Sequence, residues 1–170
     1  MERLKVLIAE KDIYAGKRLA EAVNGTDFGM VVHACSSELN ALDWLEHNPI
    51  DVLLLDAYFL KTGSLNVVKE LTAKYPELEI VITGTNDPAD TAAAMDALKL
   101  GAMDVLLKPS SATGLDGVKG FLQALFAQMM ITRVSQDAAS KTVPDSARLR
   151  VGSAGSVMQK NLPRKVLICF

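Results

Sequence analysis

Val52-Leu53-Leu54-Leu55-Asp56-Ala57 is the stretch on which the reading of this chain turns. Four apolar residues running without alternation into a single carboxylate read as a strand buried on both faces. Asp56 then stands at the carboxyl end of that strand, and in open parallel α/β sheets this is the end where ligands bind. An aspartate after a strand also starts turns and caps helices. From this stretch alone both readings of Asp56 stay open.

Working outward, the same pattern recurs on both sides. Lys5-Val6-Leu7-Ile8-Ala9 is a first strand ending in Glu10-Lys11-Asp12, and residues 13–24 follow with Ala15, Leu19, Ala20 and Val23 at helical spacing until Asn24-Gly25. Met30–Cys35 is a second strand. Ser36 or Ser37 then caps a helix presenting Leu39, Leu42, Trp44 and Leu45, closed by Pro49. Beyond the Asp51–Asp56 strand comes a loop, then a helix carrying Leu65, Val68 and Leu71 up to Tyr75-Pro76. Glu79–Thr83 is strand four. Pro88 opens an alanine-rich helix stopped by Gly101, and Asp104–Leu107 is strand five, followed by Lys108-Pro109. A last helix is expected over about 113–133, with Leu115, Val118, Leu122, Leu125 and Met129 on one stripe. Five β-α units with short connections predict an α/β fold, a doubly wound parallel sheet with helices on both faces.

Composition narrows the function. Of 170 residues 49% are apolar and 22% charged, enough for one well-filled domain with some chain to spare. The net charge of −2 gives no reason to expect nucleic acid. No apolar run approaches the roughly 18 residues of a membrane span, so no membrane insertion is expected. Met-Glu-Arg-Leu-Lys leads straight into a strand, which reads as a chain without signal peptide and hence cytoplasmic. Cys35 and Cys169 are too far apart for a metal motif.

The strand ends of such a sheet gather Glu10, Lys11 and Asp12, Asp56, Thr83 and Lys108 at one crevice. Together with the segment Gly101-Ala102-Met103-Asp104-Val105-Leu106-Leu107-Lys108-Pro109, this constellation resembles the receiver domain of bacterial response regulators, over residues 4–133. The resemblance implies the flavodoxin-like strand order 2-1-3-4-5. It implies Asp56 as phosphoacceptor, modified by a histidine kinase or a small phosphodonor. Thr83 would then bind the phosphoryl group, Lys108 would pair with it across a cis Lys108–Pro109 bond, and Mg²⁺ would be the cofactor. A transferring phosphoryl group needs these types: a nucleophilic carboxylate, a divalent cation, and a positioned cation and donor.

Some positions depart from the family pattern. Receivers usually carry two successive acids after strand one, the second a direct Mg²⁺ ligand; here those are Glu10 and Lys11. A pocket of three carboxylates and one lysine is near −2, which suits a hard dication, whereas Glu10, Lys11, Asp56 and Lys108 sum to zero. Two unit charges about 4 Å apart interact by roughly 4 kcal/mol at an effective dielectric of 20, so an inward Lys11 opposes the metal. Asp12 shares a face with Glu10 if the strand continues. Glu10, Asp12 and Asp56 are therefore the expected, weakened metal set. The proline and glycine common four and eight residues past the acceptor are Leu60 and Ser64, and the usual aromatic switch position is Val105. Two functions stay open: a phosphorylation switch in a two-component, chemotaxis-like pathway, and a phosphate-independent pseudo-receiver that docks proteins. Expected partners are a histidine kinase or another signalling protein, with a homodimer through the face of the last two helices as a further option.

Residues 1–134 carry 12 Lys and Arg against 18 Asp and Glu, and residues 135–170 carry 6 against 2. This break, with no helical or strand period after it, predicts a receiver over 1–134, a flexible basic linker over 135–165, and the start of a strand or an apolar tail over 166–170. The layout resembles the regulatory half of a chemotaxis methylesterase. No glycine- and serine-rich nucleophile loop and no Ser-His-Asp set can be assembled from these residues, so an independent enzyme is not expected.

Overall fold

The computed structural model describes residues 2–110 and 114–142. Its elements in chain order are β1 (Leu4–Ala9), α1 (Ile13–Asn24), β2 (Gly29–Cys35), α2 (Glu38–His47), β3 (Val52–Asp56), α3 (Ala57–Thr62), α4 (Asn66–Lys74), β4 (Glu79–Gly84), α5 (Pro88–Lys99), β5 (Asp104–Leu107) and α6 (Leu115–Thr142). The five strands form one parallel sheet in the order β2-β1-β3-β4-β5, as expected.

The opening hydrophobic run explains why β3 is central. Every residue of Val52–Asp56 is buried, and the strand is paired on both edges, to β1 and to β4. Side chains leave a strand alternately, so one sheet has to fill two cores. On one face Leu7, Leu53, Leu55, Ile80 and Ile82 meet Ala41 and Leu45 of α2, Val68 and Leu71 of α4, and Ala94 and Ala97 of α5. On the other, Val6, Ile8, Leu54, Val81 and Leu106 meet Leu19 and Val23 of α1 and Val118, Leu122 and Phe126 of α6. Phe126 is fully buried and rests on the backbone of Gly29; a Cβ at residue 29 would lie 2.4 Å from its Cε2.

The caps follow the sequence. Asp12, Ser37 and Asp87 accept backbone N–H groups at the starts of α1, α2 and α5, with Pro88 in the first turn of α5. Gly101, at φ +114°, turns the chain from α5 towards β5.

Three local expectations are corrected. The segment after Asp56 is a helix, α3, and not a loop. Its six residues are too few to show a period, and it buries Ala57, Phe59 and Leu60 rather than a stripe. The Lys108–Pro109 bond is trans, since the described residues contain no cis peptide. The last helix does not stop at 133 but continues to Thr142. Absence of an apolar period after 134 is no bar to a helix; Gln136, Ala138, Ala139 and Lys141 are acceptable or good helix formers. The boundary drawn at 134 therefore falls inside α6. The rest of the expected linker, from 143, and the 166–170 segment lie outside the described residues. None of the described helices is long and apolar enough to cross a membrane.

Candidate functional site

Parallel pairing places the ends of β1, β3, β4 and β5 on one edge. Asp56, the last residue of β3, is in register with Thr83 of β4; Glu10 directly follows β1 and Lys108 directly follows β5. Glu10 is 2% exposed, Asp56 1% and Thr83 0%. Buried carboxylates require donors, and here the donors converge. The Lys108 ammonium donates to Glu10 Oε1 and to Asp56 Oδ1, both at 2.8 Å. Asp56 Oδ1 also accepts from the Tyr58 amide at 3.0 Å, and Oδ2 from the Lys11 amide at 3.1 Å. Thr83 Oγ1 donates to Glu10 Oε2 at 3.3 Å, and the Asp12 amide donates to Glu10 Oε1 at 3.2 Å. Asp56 is at once the last residue of β3, on the edge where the strand ends converge, and the N-cap of α3.

The two carboxyls are driven apart electrostatically. Burial first, then a carboxyl–carboxyl hydrogen bond to Asp56, push Glu10 up to about 7 against the pull of Lys108. Burial also pushes Asp56 up, but its bonds to Glu10, Lys108 and the Tyr58 amide outweigh that and hold it below the usual carboxylate range. For Lys108, burial lowers the ammonium, and its two carboxylate partners more than restore it. Near neutrality Glu10 carries a proton part of the time, Asp56 is the anion, and Lys108 is its counter-ion.

Of the six expected residues, the structure brings four together: Glu10, Asp56, Thr83 and Lys108. Lys11 contributes only its amide. Its side chain is exposed, with the ammonium 5.5 Å from the centroid of the Tyr58 ring, so the inward pairing with Asp56 or Glu10 is made by Lys108 instead. Asp12 does not join the acids; its Oδ1 caps α1 by accepting the Ala15 amide at 2.9 Å. The expected metal set of three is thereby reduced to two, and no group of three or more acidic, histidine or cysteine side chains placed to hold a metal occurs among the described residues. Glu10 and Asp56 are oxygen donors suited to Mg²⁺ in kind. Both are already engaged by Lys108, and one shares a proton. The residues present do not fit a divalent cation.

Sequence reasoning missed a neighbouring clamp. Asp90, in the first turn of α5, is buried. It accepts the Thr85 amide at 2.9 Å, the Thr85 hydroxyl at 2.8 Å and the Lys61 ammonium of α3. It ties the segment after Thr83 to the helix that starts at Asp56. Asp90 reads in sequence only as a first-turn acid, and nothing along the chain pairs it with Lys61. Tyr58 was also missed, for want of a motif.

A model of the response regulator receiver domain matches residues 6–117. The chain belongs to that family. Over 107 residues it is 30% identical to the transcriptional regulatory protein CitT of Halalkalibacterium halodurans, covering 62% of this chain and 46% of that protein. Over 160 residues, 94% of this chain, it is 24% identical to a protein-glutamate methylesterase/protein-glutamine glutaminase of Syntrophus aciditrophicus, again covering 46% of that protein. The chain thus spans about half the length of these relatives. In fold it is similar to the response regulator domain of Thermotoga maritima CheB, with a TM-score of 0.61 at 19% identity, over 76% of this chain and 97% of that one.

Proposed function

We propose that this receiver acts in two-component signalling chiefly as a protein-docking module that accepts a phosphoryl group at Asp56 poorly. One observation carries this reading. The Lys108 ammonium lies 2.8 Å from both carboxylates that would face a metal, while Asp12 is committed to a helix cap. The partners are a histidine kinase or another signalling protein of the same pathway, in the cytoplasm. The likeness to a methylesterase over 160 residues extends past the receiver, which supports the basic segment from 143 onward as a linker following a regulatory domain.

A second reading is favoured by the grouping of buried Asp56 and Thr83 with half-buried Lys108, the set the family uses to hold a phosphoryl group. In that reading Asp56 is an efficient phosphoacceptor and Lys108 moves from the carboxylates to the new phosphoryl oxygens.

Titration of Mg²⁺, and labelling by acetyl phosphate or a beryllofluoride mimic, separate the two in wild type, Lys11→Asp and Asp56→Asn. We expect weak Mg²⁺ binding and little modification of wild type, with both increased in Lys11→Asp, which supplies a carboxylate beside Asp56 and removes a positive charge. Millimolar or tighter Mg²⁺ binding by the wild-type chain, with labelling that Asp56→Asn abolishes, would replace the first reading by the second.

A further inference from the structure

Small residues leave a groove between the first half of α1 and the end of β2. Gly16 and Ala20 of α1 line it together with Ala34 of β2, and buried Ile8 and Glu10 lie at its base. Its volume is about 480 Å³, within the range of small-molecule sites. A Cβ on Gly16 would lie 3.6 Å from Cβ and Cγ of Glu10, so α1 rests here on the aliphatic stem of that residue. The Glu10 carboxyl is spent elsewhere, on Lys108, Thr83 and the Asp12 amide. Asp56, Thr83 and Lys108 do not line the groove. It is a separate concavity from the crevice at the strand ends.

The lining says what fits. Ile8, exposed Ile13, Ala20 and Ala34 give it apolar walls. Among the lining residues the only Asp, Glu, Lys or Arg side chains are Glu10 and Lys17. Lys17 is exposed, and its ammonium has no ion-pair partner among the described residues. Burial pushes the half-buried Cys35 thiol up, so it stays neutral and adds no negative charge. Exposed Ser36 and Asn40 add hydrogen-bonding groups to the lining. The unspent charge of the groove is therefore positive, beside a small apolar hollow. An extended peptide added to the free edge of β2 fits less well. The register of β2 shifts where it passes Val6 and Leu7, and the Val31 amide is already held by Asn24 Oδ1 at 2.9 Å.

We propose that the groove between α1 and β2 binds a small amphipathic monocarboxylate, its apolar body between Ala20 and Ala34 and its carboxylate on Lys17. The site depends on neither reading of Asp56. Its occupant lies against the stem of Glu10, whose carboxyl Lys108 and Thr83 hold on the crevice side.

Amide NMR of the full chain, titrated into the millimolar range with hexanoate, hexanol and hexylamine in parallel, tests this. Hexanoate should give saturable shifts at Gly16, Lys17, Ala34 and Ser36, and bind more tightly than hexanol, with hexylamine weakest. Lys17→Met keeps the apolar stem and removes the charge. It should lower hexanoate affinity by about three- to fivefold, the worth of an exposed charge pair, and leave hexanol unchanged. Ala34→Leu, at an exposed position that the fold tolerates, fills the hollow and should weaken hexanoate and hexanol alike by about tenfold. An absence of saturable shifts overturns the proposal. So does equal binding of the three probes that Lys17→Met leaves untouched, or an affinity that survives Ala34→Leu. Shifts at Asp56 and Lys108 with Gly16 and Ala34 unmoved would put the carboxylate in the crevice, and also overturn it.

Discussion

Glu10 Oε1 and Asp56 Oδ1 accept hydrogen bonds from the same ammonium, that of Lys108, each at 2.8 Å. One cation between two buried acids cannot satisfy both as anions, and the pair responds by keeping a proton on Glu10, raised to about 7, while Asp56 is held low. A carboxyl raised on folding holds a proton that the unfolded chain has already released. Its stabilising contribution is full below about 4.5 and is lost as pH rises through about 7. Asp56 acts in the opposite sense: its contribution is present above 3.8 and is lost as pH falls through its lowered value.

Urea unfolding at pH 5 and pH 8 should therefore show wild type less stable at pH 8, by at most about 3 kcal/mol from Glu10. Glu10→Gln should flatten that slope, because its amide stays neutral across the window. A variant retaining the full wild-type slope would show that another group carries the titration.

Lys108→Met removes the shared cation while keeping the apolar stem. Two buried carboxylates then face each other with only amide donors and the Thr83 hydroxyl. Breaking a buried ion pair by deleting one partner costs about 3–5 kcal/mol. The loss should be largest at pH 8, shrink at pH 5 where Glu10 takes up a proton, and be partly recovered in the Glu10→Gln/Lys108→Met double variant. Additive effects of the two substitutions would deny the coupling.

The fold was legible because its signals are local. Short apolar runs such as Val52–Leu55 and Ile80–Ile82, each closed by a polar residue, mark buried parallel strands, and Asp12, Ser37 and Asp87-Pro88 punctuate the helices that follow. The grouping of Glu10, Asp56, Thr83 and Lys108 was legible because strand ends in such a sheet converge. Side-chain direction was not. Asp12 shares periodicity with Glu10 only if β1 continues, and β1 ends at Ala9, so the Asp12 carboxylate is taken by α1. Lys61 and Asp90 lie 29 residues apart with no motif between them. The α6 extension escaped notice because an exposed helix shows no core-facing period.

The Asp90 clamp makes a local prediction. Asp90→Ala leaves the Thr85 amide and hydroxyl without their acceptor and should cost about 1–3 kcal/mol, the usual range for orphaned buried donors. Hydrogen exchange should accelerate at Thr85 and Asp87, whose amides depend on Asp90 and on the Thr85 hydroxyl, with little change in β1. Lys61→Ala should give the weaker form of the same pattern, because the Lys61 side chain is one-third exposed. Uniform acceleration across the sheet in Asp90→Ala would mean global destabilisation and no local clamp.

The last prediction concerns packing. Gly29 begins β2, and the Phe126 ring lies where a side chain at residue 29 would start, with Cε2 2.4 Å and Cδ2 2.7 Å from an added Cβ. Phe126 is fully buried among Leu4, Val23, Leu122 and other core residues. The ring cannot swing into solvent to make room, as the tip of a surface lysine could. Gly29→Ala must therefore push α6 or the edge strand outward, and overpacking of this kind costs about 1–3 kcal/mol. Phe126→Leu shortens the ring side and leaves space beside residue 29. In that background Gly29→Ala should cost less than in wild type, a coupling that a double-mutant cycle by urea unfolding measures directly. If the alanine costs the same with either residue at 126, the cost lies in the β2 backbone and not in the contact with Phe126.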